Sequence, residues 1–156
     1  SASNGLASHF YSYERSSDNG KICTSGTECN DTVTRTTTWN GKIGLMYPSD
    51  YGYATSGGST SNRTSCLNKE LYNWDGANDC RSNDWLYNSS GWQWTVSPRA
   101  YSSYAYGVFY VGAPGSVYSN RAYYSGAVRP SVYLISSTKI LSGEGTLENP
   151  YMLSVQ

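Results

Sequence analysis

"WQWTVSPRAYSSYAYGVFYVG", residues 92–112, holds two strand-like runs, "WQWTVSP" and "YGVFYVG", around a segment made almost wholly of Tyr, Ser and Ala. Both runs are rich in β-branched and aromatic residues, and Pro98, Gly107 and Gly112 punctuate them. In "GVFYV" a period of two puts Phe109 and Val111 on one face and Val108 and Tyr110 on the other. Strands at such short intervals, separated by Gly, Pro and Ser, favour antiparallel pairing through loops over crossovers through helices.

Downstream, "AVRPSVYLISS" and "NPYMLSV" read as two further strands, the second closing the chain and expected to pair with the N-terminal one. Upstream, the Thr/apolar alternation of "TVTRTTTWNGKIGLMYP" predicts a hairpin turning at Asn40 and Gly41. "YPSDYGYATSGG" predicts a short helix, entered at Pro48 and stopped by Gly57 and Gly58. A second short helix is expected in "SNGLASHFYSYERSS", where Leu6, Phe10 and Tyr13 recur at roughly helical spacing behind Ser3 or Asn4. Residues 56–65 read as loop, and residues 67–92 as irregular chain carrying Trp74, Trp85 and Trp92. At 156 residues the chain supports one core and one domain, residues 1–156.

The formal net charge is zero, with 11 basic and 11 acidic residues, so there is no electrostatic footprint for nucleic acid or an anionic membrane surface. The longest apolar runs, such as "SVYLI", are too short to span a bilayer. The chain begins at Ser1 without Met or a basic leader, and is expected to be a processed or excised fragment whose anchor or N-terminal pilin helix has been removed. Four cysteines in turn-rich polar settings suggest an exported protein. Three pairings are open; the most local joins Cys23 to Cys29 and Cys66 to Cys80. A zinc site is the rival, but no CxxC pair exists and the single histidine, His9, stands apart.

Residues 100–126 contain seven Tyr, five Ser, four Gly, four Ala and one Asn among 27 positions, with one charged residue, Arg121. A tyrosine offers a large rigid face and a hydroxyl while freezing only two torsions, and Ser, Gly and Asn add adaptable hydrogen bonds. This is the composition of a recognition surface. The candidate ligand-binding residues are Tyr101, Ser102, Ser103, Tyr104, Tyr106, Tyr110, Tyr118, Ser119, Asn120, Tyr123 and Tyr124, most of them in segments that read as turns. No Asp or Glu lies between Asp84 and Glu144, whereas Arg99, Arg121 and Arg129 do, which suits neutral or acidic partners.

Catalysis needs convergent titratable groups, and one His with no carboxylate in the aromatic half leaves nothing for a triad or acid/base pair, so no enzyme is expected. "NWDGANDCRSND" offers Asn73, Asp75, Asn78, Asp79, Asn83 and Asp84 as oxygen ligands for calcium on paper. Short Asx residues favour turns in any case, and a solvated loop held by Cys66 and Cys80 is the expectation; no metal or cofactor is assigned.

The order of "IGLMYPSDYGYA", a Trp-rich middle, "WQWTVSPRA" and "GAVRPSVYL" resembles the C-type-lectin fold of the formylglycine-generating-enzyme branch, with "AVRP" where that branch has Gly-Phe-Arg. The resemblance covers roughly residues 39–156. It implies an α+β, C-type-lectin-like fold of mixed, mainly antiparallel sheets with two short helices and long loops. The oxidases of that branch bind copper through two cysteines near the C-terminal end; no cysteine follows Cys80 here, which argues against inherited oxidase activity. The tail "ILSGEGTLENPYML" is similar to one found in surface proteins of gut Firmicutes, some made as type IV prepilins. Within the fold, residues 100–126 resemble the variable segment of proteins diversified by retroelements, where adenine-directed mutagenesis turns Asn codons into Tyr, Ser, Asp, Gly and Ala codons. The resemblance implies an extracellular display domain on a bacterial cell surface or pilus, or less directly a phage tail. Its expected partner is a protein or glycan on another cell or host surface. The alternative is a structural pilin head whose tyrosines contact other pilin subunits.

Overall fold

A computed structural model of the chain describes residues 5–14, 40–55, 60–99, 106–146 and 148–155. These form a mixed α+β architecture in the order α1 (Ala7–Glu14), β1 (Gly44–Leu45), α2 (Pro48–Ala54), α3 (Thr60–Leu67), a 3-10 helix (Leu71–Gly76) and α4 (Asn78–Arg81). The strands β2 (Gln93–Pro98), β3 (Gly107–Val111), β4 (Val117–Arg121), β5 (Ala127–Val128), β6 (Pro130–Ser131), β7 (Thr138–Ser142) and β8 (Met152–Val155) follow.

The main sheet has the order β4-β3-β2-β5, and β1-β6 and β7-β8 form two separate two-stranded sheets. All pairings are antiparallel except β2 with β5, which runs parallel over Gln93↔Ala127 and Trp94↔Val128. The register Phe109↔Ser119, Tyr110↔Tyr118 and Val111↔Val117 makes β3 and β4 a tight hairpin.

Several expectations hold and several are corrected. Helices form where Leu6–Phe10 periodicity and Pro48 predicted them; in α2 the Asp50 carboxylate accepts a hydrogen bond from the Tyr47 N–H at 2.8 Å, which closes the first turn. Residues 56–65 are not all loop, because α3 begins at Thr60, and the count of two helices becomes four plus a 3-10 turn among the described residues. β1 pairs with β6; the hairpin expected at Asn40 and Gly41 has its other arm outside the described residues. "AVRPSVYLISS" is not one strand: Pro130 brings no N–H to a ladder, and only β5 and β6 form, two residues each. The last strand, β8, pairs with β7, which the sequence reading did not foresee; the segment expected to form the N-terminal strand lies outside the described residues.

The core gathers Phe10 of α1, Met46, Tyr51 of α2, Leu71 and Trp74 of the 3-10 helix, and Phe109 and Val111 of β3. Phe10 meets Phe109 edge-on at 5.1 Å, and Tyr51 meets Trp74 at 5.3 Å. Burial alternates along β3 as predicted, with Phe109 and Val111 inward. β2 inverts the usual pattern. Its inner face carries Gln93, Thr95 and Ser97, and its outer face Trp94 and Val96. The Gln93 amide donates to the Leu86 carbonyl at 2.8 Å and the Thr95 hydroxyl to the Phe109 carbonyl at 2.8 Å, which compensates these two buried groups, whereas the buried Ser97 hydroxyl makes no hydrogen bond.

One predicted disulfide is present: Cys66 of α3 is joined to Cys80 of α4, fastening two short helices too polar to hold themselves by packing. Cys23 and Cys29 lie outside the described residues. The bridge closes a loop with a sequence separation of 14. Cutting it in a Cys66→Ser/Cys80→Ser variant is expected to lower the unfolding free energy by ~3 kcal/mol, read as an earlier urea midpoint. An unchanged midpoint would show that packing alone holds α3 and α4.

Candidate functional site

The turn joining β3 to β4 is fixed from below. The Tyr51 hydroxyl donates to the Gly115 carbonyl at 2.7 Å, the Tyr87 hydroxyl to the Ala113 carbonyl at 2.7 Å, and the Asp75 N–H to the Ser116 hydroxyl at 2.7 Å. Arg81 reaches the Pro114 carbonyl from the same side. Three separate elements therefore hold the hairpin that carries most of the predicted site.

On the outer face, rings run in a continuous row. Trp92 lies edge-on to Trp94 at 4.6 Å and to Tyr110 at 5.0 Å; Tyr110 faces Tyr118 at 6.0 Å, and Tyr118 meets Tyr72 of the 3-10 helix at 5.0 Å. The Tyr118 hydroxyl donates to Asp75 at 3.3 Å. Trp92, Tyr110, Tyr118, Asn120 and Tyr124 line an open concavity of about 600 Å³. That is the size of a small-ligand or side-chain pocket. Trp92 also lies against Gly126, so closely that a Cβ there would come within 2.6 Å of its ring; this fixes the end of the loop following β4.

Beyond the concavity, Arg121 is flanked by rings. Its guanidinium lies 5.5 Å from the Tyr106 centroid and 5.8 Å from that of Tyr123, and it donates to the Tyr123 hydroxyl. Tyr123 and Tyr124 meet at 4.8 Å with their rings inclined by 50° and are 66% and 47% exposed. The hydrogen bond from Arg121 holds the Tyr123 phenol below its ordinary pKa, whereas burial pushes Tyr110 and Tyr118 up.

The structure thus brings Tyr106, Tyr110, Tyr118, Asn120, Tyr123 and Tyr124 onto one side of the molecule. Tyr118, expected in a turn, lies in β4. Ser119 points the other way, pairing with Phe109 and accepting a hydrogen bond from Arg99 at 3.2 Å. Tyr101, Ser102, Ser103 and Tyr104 lie outside the described residues. Sequence reasoning missed Trp92, Trp94, Tyr72 and Asp75 as site residues. The period-two spacing of Trp92 and Trp94 was a usable signal; nothing local marks Tyr72 or Asp75.

Beneath β2, Asp84 is buried with one carboxylate oxygen accepting from the Leu86 N–H at 2.9 Å and the other without a hydrogen-bond partner. Burial pushes its pKa up to about 7, opposed by the Leu86 hydrogen bond and by Arg129, which itself donates to Gln93 at 3.3 Å. The oxygen-rich segment that included it does not converge: Asp84 turns inward, Asp75 binds its own loop and Tyr118, and Asn78 accepts from Arg81. Among the described residues no cluster of three His, Cys, Asp or Glu could hold a metal, and no helix is long and apolar enough to cross a membrane. No protein-family model, curated protein or solved structure matches the chain.

Proposed function

We propose that this chain is a ligand-binding display domain of C-type-lectin type, the variable protein of a diversity-generating retroelement, exposed on a bacterial cell surface or pilus. Its aromatic face recognises a protein or glycan. The observation that carries this reading is the sidedness of the β3-β4 hairpin. Phe109, Val111 and Val117 build the core on one side, while Tyr110, Tyr118 and Asn120 face a concavity on the other. Such a hairpin tolerates replacement of its outward residues because its turn is anchored through carbonyls, N–H groups and Ser116 rather than through those rings. Open aromatic concavities with a few hydrogen-bonding groups at the rim suit both sugar rings and protein side chains.

The test is comparison of sibling gene copies. Differences should concentrate at template adenines and fall on the codons of Tyr106, Tyr110, Tyr118, Asn120, Tyr123 and Tyr124, sparing Phe109, Val111 and Val117, with a reverse-transcriptase gene nearby. Differences scattered evenly over both faces of the hairpin would refute the proposal.

A further inference from the structure

We propose that the C-terminal hairpin β7-β8 is a self-association device, through which two copies of this chain pair edge to edge along β8. Between residues 132 and 155, ten large apolar side chains are exposed, among them Tyr133, Ile140, Leu141 and Val155. An exposed apolar stretch of this kind marks an interaction surface in a folded protein. Six of them, Ile140, Leu141, Tyr151, Met152, Leu153 and Val155, lie in the hairpin itself.

The hairpin is built in advance of any partner. The N–H groups of Glu144, Gly145 and Thr146 all converge on the Asn149 carbonyl, at 3.0, 3.1 and 3.3 Å. Gly143 turns the chain at φ 96°, where a Cβ would strike the Pro150 carbonyl. Its two edges differ. β7 carries Lys139 and an irregularity between Ile140 and Ser142, and charge and bulge are devices that keep an edge from pairing. β8, "MLSV", has neither, and no strand among the described residues pairs with its outer edge.

A second copy fits that edge better than a dissimilar strand does. Residues 149–155 contain no charge, so two of them meet without repulsion, and the Lys139 residues stay on the outer strands of the joined sheet. Antiparallel pairing centred on Leu153 sets Leu153 opposite its own copy and Tyr151 opposite Val155. Because residues two apart share a face, Tyr151, Leu153 and Val155 of both copies then form one apolar surface continuous with Ile140, the in-register neighbour of Leu153. The joined sheet has four strands, each backbone edge at the centre satisfied.

Sedimentation of the 156-residue chain between 1 and 100 µM is the first measurement. A concentration-dependent dimer is expected, with the Leu153→Lys/Val155→Lys variant remaining monomeric and its thermal transition within a few degrees of the parent. Mild oxidation of Leu153→Cys supplies a measurement independent of that variant's folding: a covalent dimer linked through position 153 is expected. A parent that stays monomeric at 100 µM would overturn the proposal and assign the face to a different partner. So would a dimer indifferent to both lysines, or a Leu153→Cys protein that does not cross-link.

Discussion

Asp84→Asn is expected to stabilise the protein by up to about 4 kcal/mol at pH 8 and to leave it almost unchanged at pH 4. The Asp84 pKa in the fold is about 7 against an ordinary value of 3.8, a separation of about three units at 1.36 kcal/mol each. Below pH 4 the carboxyl is protonated both folded and unfolded, and its burial costs no charge desolvation. Between pH 4 and 7 the folded chain keeps a proton that the unfolded chain has lost, so stability falls as pH rises; above pH 7 the whole penalty is present. Asparagine keeps an oxygen for the Leu86 N–H and never ionises. Urea unfolding of parent and variant at pH 4, 6 and 8 measures the difference, and other titrating groups cancel in it. A difference that does not grow with pH would show that Asp84 is ionised in the fold throughout, paired with Arg129.

The same residue shows where the sequence stops being informative. "NDW" at 83–85 reads as a solvated turn, whereas in the fold Asp84 is buried, with its backbone bridged to Thr55 and its carboxylate held by the Leu86 N–H. α2 was legible because Pro48 and Asp50 act within one turn of the chain. α3 was not: "TSNRTSCL" is composed of residues that favour loops, and its helix depends on the disulfide to Cys80 and on contact with α2. The period of two in "WQWTVSP" was legible, but not its sense. A period says which residues share a face, not which face is core, and here Gln93 and Thr95 on the inward side are compensated by hydrogen bonds while the tryptophans go out. β4 hid behind Ser119 and Asn120, turn formers that pairing with β3 holds extended. Tyr72 and Asp75 enter the site from more than forty residues away in sequence, a distance over which local patterns carry no signal.

Replacing Tyr106, Tyr123 and Tyr124 together by Ser is expected to shift the melting temperature by only a few degrees while weakening ligand binding more than a hundredfold. All three rings are exposed, and the turn of the hairpin is anchored through other groups, so little packing is lost. The contrasting variant is Trp74→Ala, fully buried against Tyr51, which should cost about 3–5 kcal/mol and lower the midpoint by ten degrees or more. Binding responds in the opposite order because a few aromatic anchors carry most interface energy, each worth about thirtyfold in affinity or more. Arg121, flanked by Tyr106 and Tyr123, loses its ring contacts in the triple variant, so an acidic ligand group held there is released as well. The measurement has two parts. Thermal unfolding followed by circular dichroism needs no ligand and separates scaffold from display directly. Binding is then read against whichever member of a glycan and surface-protein panel the parent captures. Collapse of the melting transition in the triple variant would make these tyrosines structural, and undiminished capture would move the recognition surface off this face.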